Sequence, residues 1–167
     1  MSYVFSVMKS PVGPLKLVGG DAGLAGVLWE HDRAGRVPHL QNALEQVDHP
    51  VLLESRLQLE EYFQGKRKRF DVKLDFVGTA FNRRIWEALL AIPYGETRTY
   101  GEIAKKIGSP RAVRAVGAAN GRNPISIIAP CHRVIGSNGK LTGFAGGLET
   151  KAFLLRLETN GQAPLPL

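Results

Sequence analysis

The order of apolar and polar residues predicts a strand-rich first part of the chain. Residues 3–29 contain three short apolar runs, and the first two flank the turn sequence PVGP, which is typical of β structure. Residues 30–50 are polar and include two prolines, so we expect a loop that can hold a short helix. The apolar spacing and closing glycine of residues 51–65 predict an amphipathic helix. The alternation in FDVKLDF, residues 70–76, predicts a half-buried strand.

The second part of the chain has helical spacing instead. The sequence TAFNRRIWEALLAI (79–92) places apolar residues on one helical face, and PYGE ends that helix. A further helix, 99–108, begins with Thr99 and Glu102 at the spacing of a capping box. A Gly-Ser-Pro turn separates it from a third helix, 111–121. Two short helices joined by a tight turn are typical of a helix-turn-helix.

The third helix is rich in alanine and glycine, so much of its surface carries only small side chains. Arg111, Arg114 and Arg122 are its long side chains with positive charge. Small residues permit close packing against another helix, which is one interpretation. A slim basic helix could also enter a groove of DNA and insert an arginine into the base stack. The pattern alone leaves both open.

Together these elements predict an α+β protein with two domains. Residues 1–76 form a small strand-rich α/β domain, and residues 77–167 form a mainly helical domain that contains the helix-turn-helix.

Composition and charge narrow the classes of protein. Hydrophobic residues make up 44% and charged residues 22% of the 167 residues, as in ordinary globular proteins. The formal net charge of +7 favours a polyanionic partner such as nucleic acid. The densest basic run, KRKR at 66–69, is interpreted as a solvated loop after a helix. With neither a signal-peptide core nor an apolar run of membrane-spanning length, we expect a cytoplasmic protein.

The chain contains one cysteine, Cys131, which excludes an internal disulfide and a thiolate-rich zinc site. The four histidines show no metal-ligand spacing, so we expect no metal. Cys131 stands between Pro130 and His132, after an apolar run, ISIIA, that predicts a stiff strand. The neighbouring imidazole could activate the thiol as a nucleophile. A lone cysteine in an apolar run can equally be inert core.

Three segments of the second half resemble one known family. Residues 123–158, NPISIIAPCHRVIGSNGKLTGFAGGLETKAFLLRLE, resemble the signature of the O6-alkylguanine-DNA alkyltransferases, and Pro-Cys-His-Arg-Val at 130–134 is highly specific to that family. IPYGETRTYGEIA and RAVGAANGRNP match it at the expected distances upstream. The resemblance covers residues 79–158. It implies that the N-terminal domain is ribonuclease H-like.

The resemblance also implies a function. It implies direct-reversal DNA repair, in which the alkyl group on O6 of guanine, and also on O4 of thymine, is transferred irreversibly to Cys131. Each protein would act once, after binding the minor groove and flipping the base. The expected partner is double-stranded DNA carrying O6-alkylguanine. We expect a monomer with no cofactor, no metal and no membrane association, since the chain lacks the N-terminal cysteines of zinc-binding members.

The family pattern assigns roles to individual residues. Cys131 would be the acceptor, activated through water by His132, which Glu158 would orient. Tyr100 would help rotate the nucleotide and would protonate the departing guanine. The positions matched to DNA binding are Gly101, Ser109, Arg114 (the finger that replaces the flipped base), Asn123 (the hinge between helix and active site) and Ser137. The positions matched to the substrate pocket are Pro130, Val134, Phe144, Ala145, Gly146 and Lys151.

Three other functions are considered beside this one. A related lesion-binding protein without chemistry would lack the cysteine. A helix-turn-helix regulator with a redox-sensing cysteine would need base-edge contacts in the major groove, and the third helix offers mainly alanines. A cysteine hydrolase leaves the basic helix-turn-helix without a role.

Overall fold

The computed structural model describes residues 2–159. The chain divides into two compact units, of which the first ends at Val77 and the second begins at Gly78. The first unit contains a mixed sheet and one long helix, and the second is mainly helical. The predicted α+β class is therefore confirmed.

The sheet of the first unit has four strands in the order β3-β2-β1-β4. Strands β1 (Val4–Met8), β2 (Leu15–Gly20) and β3 (Gly23–Trp29) form an antiparallel meander, as the three apolar runs predict. A two-residue strand, β4 (Leu44–Glu45), pairs parallel to β1 and was not predicted. The preceding loop contains a short 3₁₀ helix at Pro38–Leu40.

Helix α1 (Pro50–Phe63) covers this sheet. Its buried apolar residues include Leu52 and Leu59, whereas Leu53 and Leu57 are half exposed, so the apolar face is narrower than the sequence suggests. Buried Gln58 accepts a hydrogen bond from the main chain of Asp71 at 3.0 Å, which fixes the segment after the helix.

The predicted strand at 70–76 is wrong in extent. The segment touches β3 through a single parallel bridge between Leu24 and Leu74. Leu24 N donates to Lys73 O and Asp75 N donates to Leu24 O, both at 2.8 Å, and no longer ladder forms around this bridge. Alternation correctly indicates an extended segment, but it cannot show how many partners the segment finds along a strand.

The second unit is built on three helices that follow the sequence prediction closely. Thr79 caps α2 (Ala80–Leu90) by accepting from Asn82 N at 3.0 Å. The capping box of Thr99 and Glu102 is present at the start of α3 (Tyr100–Lys106). Helix α4 (Val113–Gly121) follows and completes the helix-turn-helix.

A buried indole joins two of these helices. Trp86 of α2 donates from Nε1 to Ala119 O of α4 at 2.8 Å. Because the indole N–H is buried, this bond satisfies a donor that would otherwise be costly to desolvate. Helix α4 is thus held against the core by a specific bond as well as by its small side chains.

The segment before Cys131 is a correction to the sequence prediction. Residues 124–129 are buried but form turns, with Ile128 N bonded to Ser126 O and Ala129 N to Ile125 O, both at 2.9 Å. Ile127 has a φ of +73°, which β-branched residues rarely adopt. A short apolar run fits a buried turn as well as a buried strand, so the periodicity could not distinguish them.

Two short strands bring distant parts of the second unit together. Strand β5 (Arg98–Thr99) pairs parallel to β6 (Val134–Ile135). Since α3 begins directly after β5 and β6 follows Cys131 closely, this pairing places Tyr100 near the segment that carries the thiol. The last described helix, α5 (Leu148–Glu158), ends at the predicted glutamate. Across residues 2–159, every helix is too short or too polar to traverse a lipid bilayer.

Candidate active site

Cys131 opens a 3₁₀ helix, Cys131–Arg133, directly after Pro130. The residue is 4% exposed, so it is almost completely buried. Main-chain bonds fix it at both ends: Cys131 N donates to Ala129 O at 2.8 Å, and Asn120 Nδ2 of α4 donates to Cys131 O at 3.4 Å. The thiol is therefore held by rigid main chain.

His132 and Glu158 form a buried pair next to this thiol. His132 Nε2 lies 2.7 Å from Glu158 Oε2, and neither side chain is accessible to solvent. An ionised carboxylate only accepts hydrogen bonds, so Nε2 carries the ring proton and Nδ1 carries the lone pair. His132 Nδ1 is buried and has no hydrogen-bond partner within the described residues. The pair thus presents an unoccupied base inside the protein.

Arg133 shares the same carboxylate. Its Nε donates to Glu158 Oε1 at 2.7 Å and its Nη2 to Oε2 at 3.0 Å, in a bidentate pair. Its Nη1 donates to Ile92 O at 2.6 Å, and its guanidinium lies 5.8 Å from the ring centre of Tyr94. Bidentate pairing and ring contact restrict both the arginine and the carboxylate to one geometry.

Gly95 completes the surroundings of Glu158. Its N–H donates to Glu158 Oε1 at 3.3 Å. A Cβ at this position would lie 3.2 Å from Glu158 O, and the φ of Gly95 is +81°. Glycine is therefore needed here both for its backbone conformation and for the close approach. Donors from Gly95, His132 and Arg133 thus satisfy the carboxylate within the protein.

Burial, hydrogen bonds and nearby charges shift the pKa values of the ionisable groups in the site. Burial raises the pKa of Glu158, but the hydrogen bonds and charges of His132 and Arg133 outweigh it and hold this pKa far below its usual range. Burial lowers the pKa of His132, and the hydrogen bond to Glu158 opposes that effect only in part. The imidazole is therefore neutral and the carboxylate ionised near neutral pH.

A second network links Tyr100 to the pocket positions. The Tyr100 hydroxyl lies 2.7 Å from Thr142 Oγ1. Lys151 Nζ, from α5, donates to Thr142 O at 3.2 Å and to Val134 O at 2.6 Å. One lysine thus joins strand β6, the loop before α5 and, through Thr142, the tyrosine. Lys151 is fully buried, and burial lowers its pKa to about 8 while the charge of Cys131 raises it.

Asn123 connects the end of α4 to the turn that precedes the thiol. Its Nδ2 donates to Ala129 O at 2.8 Å, and its Oδ1 accepts from Ile125 N at 3.0 Å. Both ends of the amide are used by buried main chain. The side chain therefore joins the end of α4 to the turn before the thiol, and its role as a hinge stays a prediction.

The other predicted positions lie nearer the surface. Arg114 on α4 and Ser137, in the turn after β6, are exposed, while Gly101 and Ser109 at the helix-turn-helix are half buried. The turn of the helix-turn-helix has a shallow groove, which is lined by Ser109, Pro110, Arg111 and Ala112. Phe144, Ala145 and Gly146 are half buried in the loop before α5, where Gly147 N bonds to Phe144 O at 2.9 Å.

The net positive charge of the chain comes entirely from residues 78–167. Residues 1–77 contain ten Lys or Arg and ten Asp or Glu, whereas residues 78–167 contain twelve and five, which accounts for the net +7. The unit that contains the helix-turn-helix is therefore the one that attracts polyanions.

A metal has no evident site in the described part of the chain. Among residues 2–159, no group of three or more His, Cys, Asp and Glu side chains is arranged to hold an ion.

Several residues of the site were not found from the sequence. Arg133 lies inside the most specific motif, yet its ion pair with Glu158 spans 25 residues and could not be inferred from spacing. Gly95 was interpreted only as a helix breaker. Thr142 and Asn120 gave no signal at all, although each contacts a residue that the sequence singled out.

Comparisons with known protein families match both parts of the chain. Residues 3–76 match the model of the ribonuclease-like domain of 6-O-methylguanine DNA methyltransferase. Residues 80–160 match the model of the DNA binding domain of the same protein. The two matches together cover most of the chain and indicate a methyltransferase with these two domains.

Individual relatives extend over nearly the whole chain. The methylated-DNA–protein-cysteine methyltransferase of Methanosarcina mazei is 54% identical over 157 residues, covering 93% of this chain and 97% of the relative. The crystal structure of Mycobacterium tuberculosis O6-methylguanine methyltransferase has a TM-score of 0.85 at 48% identity, covering 97% of this chain and 95% of the other. The chain belongs to the 6-O-methylguanine DNA methyltransferase family.

One related structure contains nucleic acid. Mycobacterium tuberculosis OGT in complex with DNA has a TM-score of 0.85 and 46% sequence identity, covering 99% of this chain and 96% of the other.

Proposed function

We propose that this protein repairs DNA by transferring the alkyl group from O6 of guanine to Cys131, once per molecule. The observation that carries the proposal is the buried pair of His132 and Glu158 beside the single cysteine. The lone pair on His132 Nδ1 provides a base for the thiol proton. Family membership supports the same reaction, and O4-alkylthymine is proposed as a further substrate.

The proton transfers can be assigned to specific atoms. The thiol proton passes through water to His132 Nδ1, and Glu158 stabilises the resulting imidazolium through its bond to Nε2. The thiolate sulfur then attacks the alkyl carbon as the bond from that carbon to O6 breaks. Tyr100 gives its hydroxyl proton to the leaving guanine and later regains one from the imidazolium through solvent. Overall, the thiol proton ends on guanine and a thioether remains.

The stoichiometry follows from the cysteine count. A thioether is not reversed by ordinary thiol exchange, because exchange needs a disulfide or a thiol leaving group. With one cysteine in the chain, no second thiol of the same molecule can remove the alkyl group. Each protein molecule therefore reacts once in the proposed mechanism.

The helix-turn-helix is the proposed DNA-binding surface, on a monomer. Helix α4 would enter the minor groove, with Arg114 filling the space of a flipped base. Ser109 and Gly101 would lie near the phosphates, as would Ser137. The charge excess of the second part and the DNA complex of the Mycobacterium tuberculosis relative support this assignment. Base extrusion costs a few kcal/mol, least for a base that already pairs badly.

The recognised base would then contact the pocket residues. Val134 O already accepts from Lys151, and a carbonyl has a second lone pair that could accept the guanine amino group. The main chain of Cys131 offers another carbonyl. The wall of the pocket around the alkyl group would consist of Phe144, Ala145 and Gly146. Pro130 would restrict the main chain directly before Cys131.

The central test is the intact mass of the protein after incubation with a duplex that contains one O6-methylguanine. We expect the mass of one methyl group per protein, located by peptide mapping on the Cys131 peptide, and no second addition in excess substrate. An unmodified duplex of the same sequence is the control. No mass gain with retained preference for the lesion would instead indicate a lesion-binding protein; no gain and no preference would indicate a regulator.

A second test concerns Arg114. Arg114→Ala should slow methyl transfer from duplex DNA much more than transfer from the free base O6-methylguanine, because the finger acts on base extrusion only. Arg156→Ala, an exposed residue of α5, removes the same charge elsewhere in this unit and is the matched control. Single-turnover rates on both substrates provide the measurement. Equal slowing on duplex and free base would show that Arg114 does not act as a finger.

A further inference from the structure

Lys151 is a fully buried lysine, and its hydrogen-bond acceptors among residues 2–159 are two neutral carbonyls. Its ammonium group donates to Val134 O and Thr142 O, and its side chain has no solvent exposure. Lysines are almost never fully buried without an anionic partner, because removing an ammonium from water is costly. The two carbonyls offset part of that cost, and the third N–H has no hydrogen-bond acceptor within the described part of the chain.

The carboxylate of this region is already neutralised. Glu158 accepts two hydrogen bonds from Arg133, so the single negative charge of one is matched by the single positive charge of the other. His132 adds no charge while it is neutral. Two further groups of the predicted site can become anions, the hydroxyl of Tyr100 and the thiol of Cys131, and a cysteine thiol ordinarily ionises at a lower pH than a tyrosine hydroxyl.

Lys151 lies on α5, and its hydrogen bond to Val134 O connects α5 to the segment that carries Cys131. Val134 O, which accepts from Lys151, belongs to the residue that follows the 3₁₀ helix of Cys131, and Val134 N donates back to Cys131 O. The charge of Cys131 also acts on Lys151 and raises its pKa. Such an interaction is reciprocal, so the ammonium stabilises the thiolate to the same extent.

We propose that Lys151 is the counter-cation of the Cys131 thiolate and so a positioning residue for the transfer reaction. The buried charges then fall into two neutral pairs, Arg133 with Glu158 and Lys151 with the thiolate. His132 is left as a proton carrier that need not stay charged. This assignment rests on the proposed function, in which Cys131 is the acceptor, and differs from a role for Lys151 as pocket wall.

The other ionisable groups around Lys151 set the conditions of a test. His132 feels the positive charge of Lys151, which lowers the pKa of the imidazole, and Tyr100 is connected through Thr142. A measurement on the thiol alone, with a small neutral reagent and without DNA, separates the effect on the thiolate from effects on these two residues.

The experiment is the pH dependence of the rate at which iodoacetamide alkylates Cys131. In Lys151→Met we expect the midpoint of the profile to rise by about one pH unit or more, because an opposite charge is lost. Lys151→Arg should keep a midpoint near that of the wild type, since it retains the charge. Lys140→Met, at an exposed lysine of the neighbouring loop, is the matched control and should not move it. An unchanged midpoint in Lys151→Met would overturn the proposal, even if DNA repair were slower.

A measurement on the wild-type protein covers the case in which Lys151→Met does not fold. The Cε resonance of Lys151 is followed by NMR against pH, before and after Cys131 is capped with methyl methanethiosulfonate. Capping removes the anion, so the titration midpoint of Lys151 should fall. A midpoint that stays in place would contradict the pairing. Neither experiment needs alkylated DNA, so failure of the repair function would appear separately, as no mass gain with the lesion duplex.

Discussion

Replacing Cys131 with alanine or serine is expected to abolish methyl transfer completely and to leave DNA binding intact. The thiolate is the nucleophile, and a serine hydroxyl in the same place is not ionised at neutral pH and cannot substitute for it. Cys131 is 4% exposed and lies outside α4, whose exposed face carries the proposed DNA contacts. Transfer is measured by intact mass with the O6-methylguanine duplex, and binding by titration of the same duplex.

Two properties make this experiment decisive. The side chain is small and close to isosteric with serine, so unfolding temperatures of the variant and the wild type should agree closely. The chain has no other cysteine, so any remaining transfer has to occur at a different kind of residue. Stoichiometric methylation of Cys131→Ser would therefore show that the acceptor has been wrongly assigned.

Replacing Glu158 with glutamine is expected to have the largest effect on stability. The substitution leaves Arg133 as a buried cation without its anion, and breaking a buried ion pair in this way costs about 3–5 kcal/mol. It also removes the charge that stabilises the imidazolium of His132, so Cys131 should react more slowly with iodoacetamide. Urea unfolding and the alkylation rate measure the two effects. Glu149→Gln, at an exposed glutamate in the first turn of the same helix, should change neither.

The same carboxylate makes stability depend on pH with a definite sign. The folded-state pKa of Glu158 is lowered below its ordinary value of 4.5, so its contribution is fully present above that pH and is lost as the pH falls toward the folded-state value. The wild type should therefore lose stability on acidification below about pH 4.5. Glu158→Gln should lack this part of the decline. A stability profile of the same shape in both proteins would mean that the carboxylate is not held ionised by its neighbours.

Much of the fold could be predicted because its signals are local. The capping box of Thr99 and Glu102 requires residues three apart, and it forms as the sequence indicates. The meander of β1 to β3 and the helices α1 and α2 likewise follow from short-range spacing and turn residues. Local propensity and the final structure agree at these positions.

The parts that could not be predicted depend on distant contacts. Arg133 bonds to Ile92 O across 41 residues, and Gly95 reaches Glu158 across 63. No pattern in the sequence encodes either. The prediction of a strand before Cys131 is wrong for another reason. A β-branched residue such as Ile127 favours extended backbone, and the surrounding packing overrides that preference. The resemblance assigns the chemistry to Cys131 and His132 and a pocket position to Lys151, and the structure adds Arg133 and the burial of the lysine.

Asn120 and Asn123 have a consequence for how the reaction is driven. Both belong to the end of α4 or to the residues just after it, and their amides bond to the main chain of Cys131 and Ala129. In the proposed mechanism, the helix that meets DNA and the sulfur that reacts therefore form one preorganised body with little internal freedom to lose. The entropic cost of bringing the reactants together then comes from ordering the nucleotide that leaves the double helix, and little of it comes from ordering the protein. Removing the hydrogen bonds of either asparagine should therefore lower the rate of transfer more than it lowers the affinity for DNA.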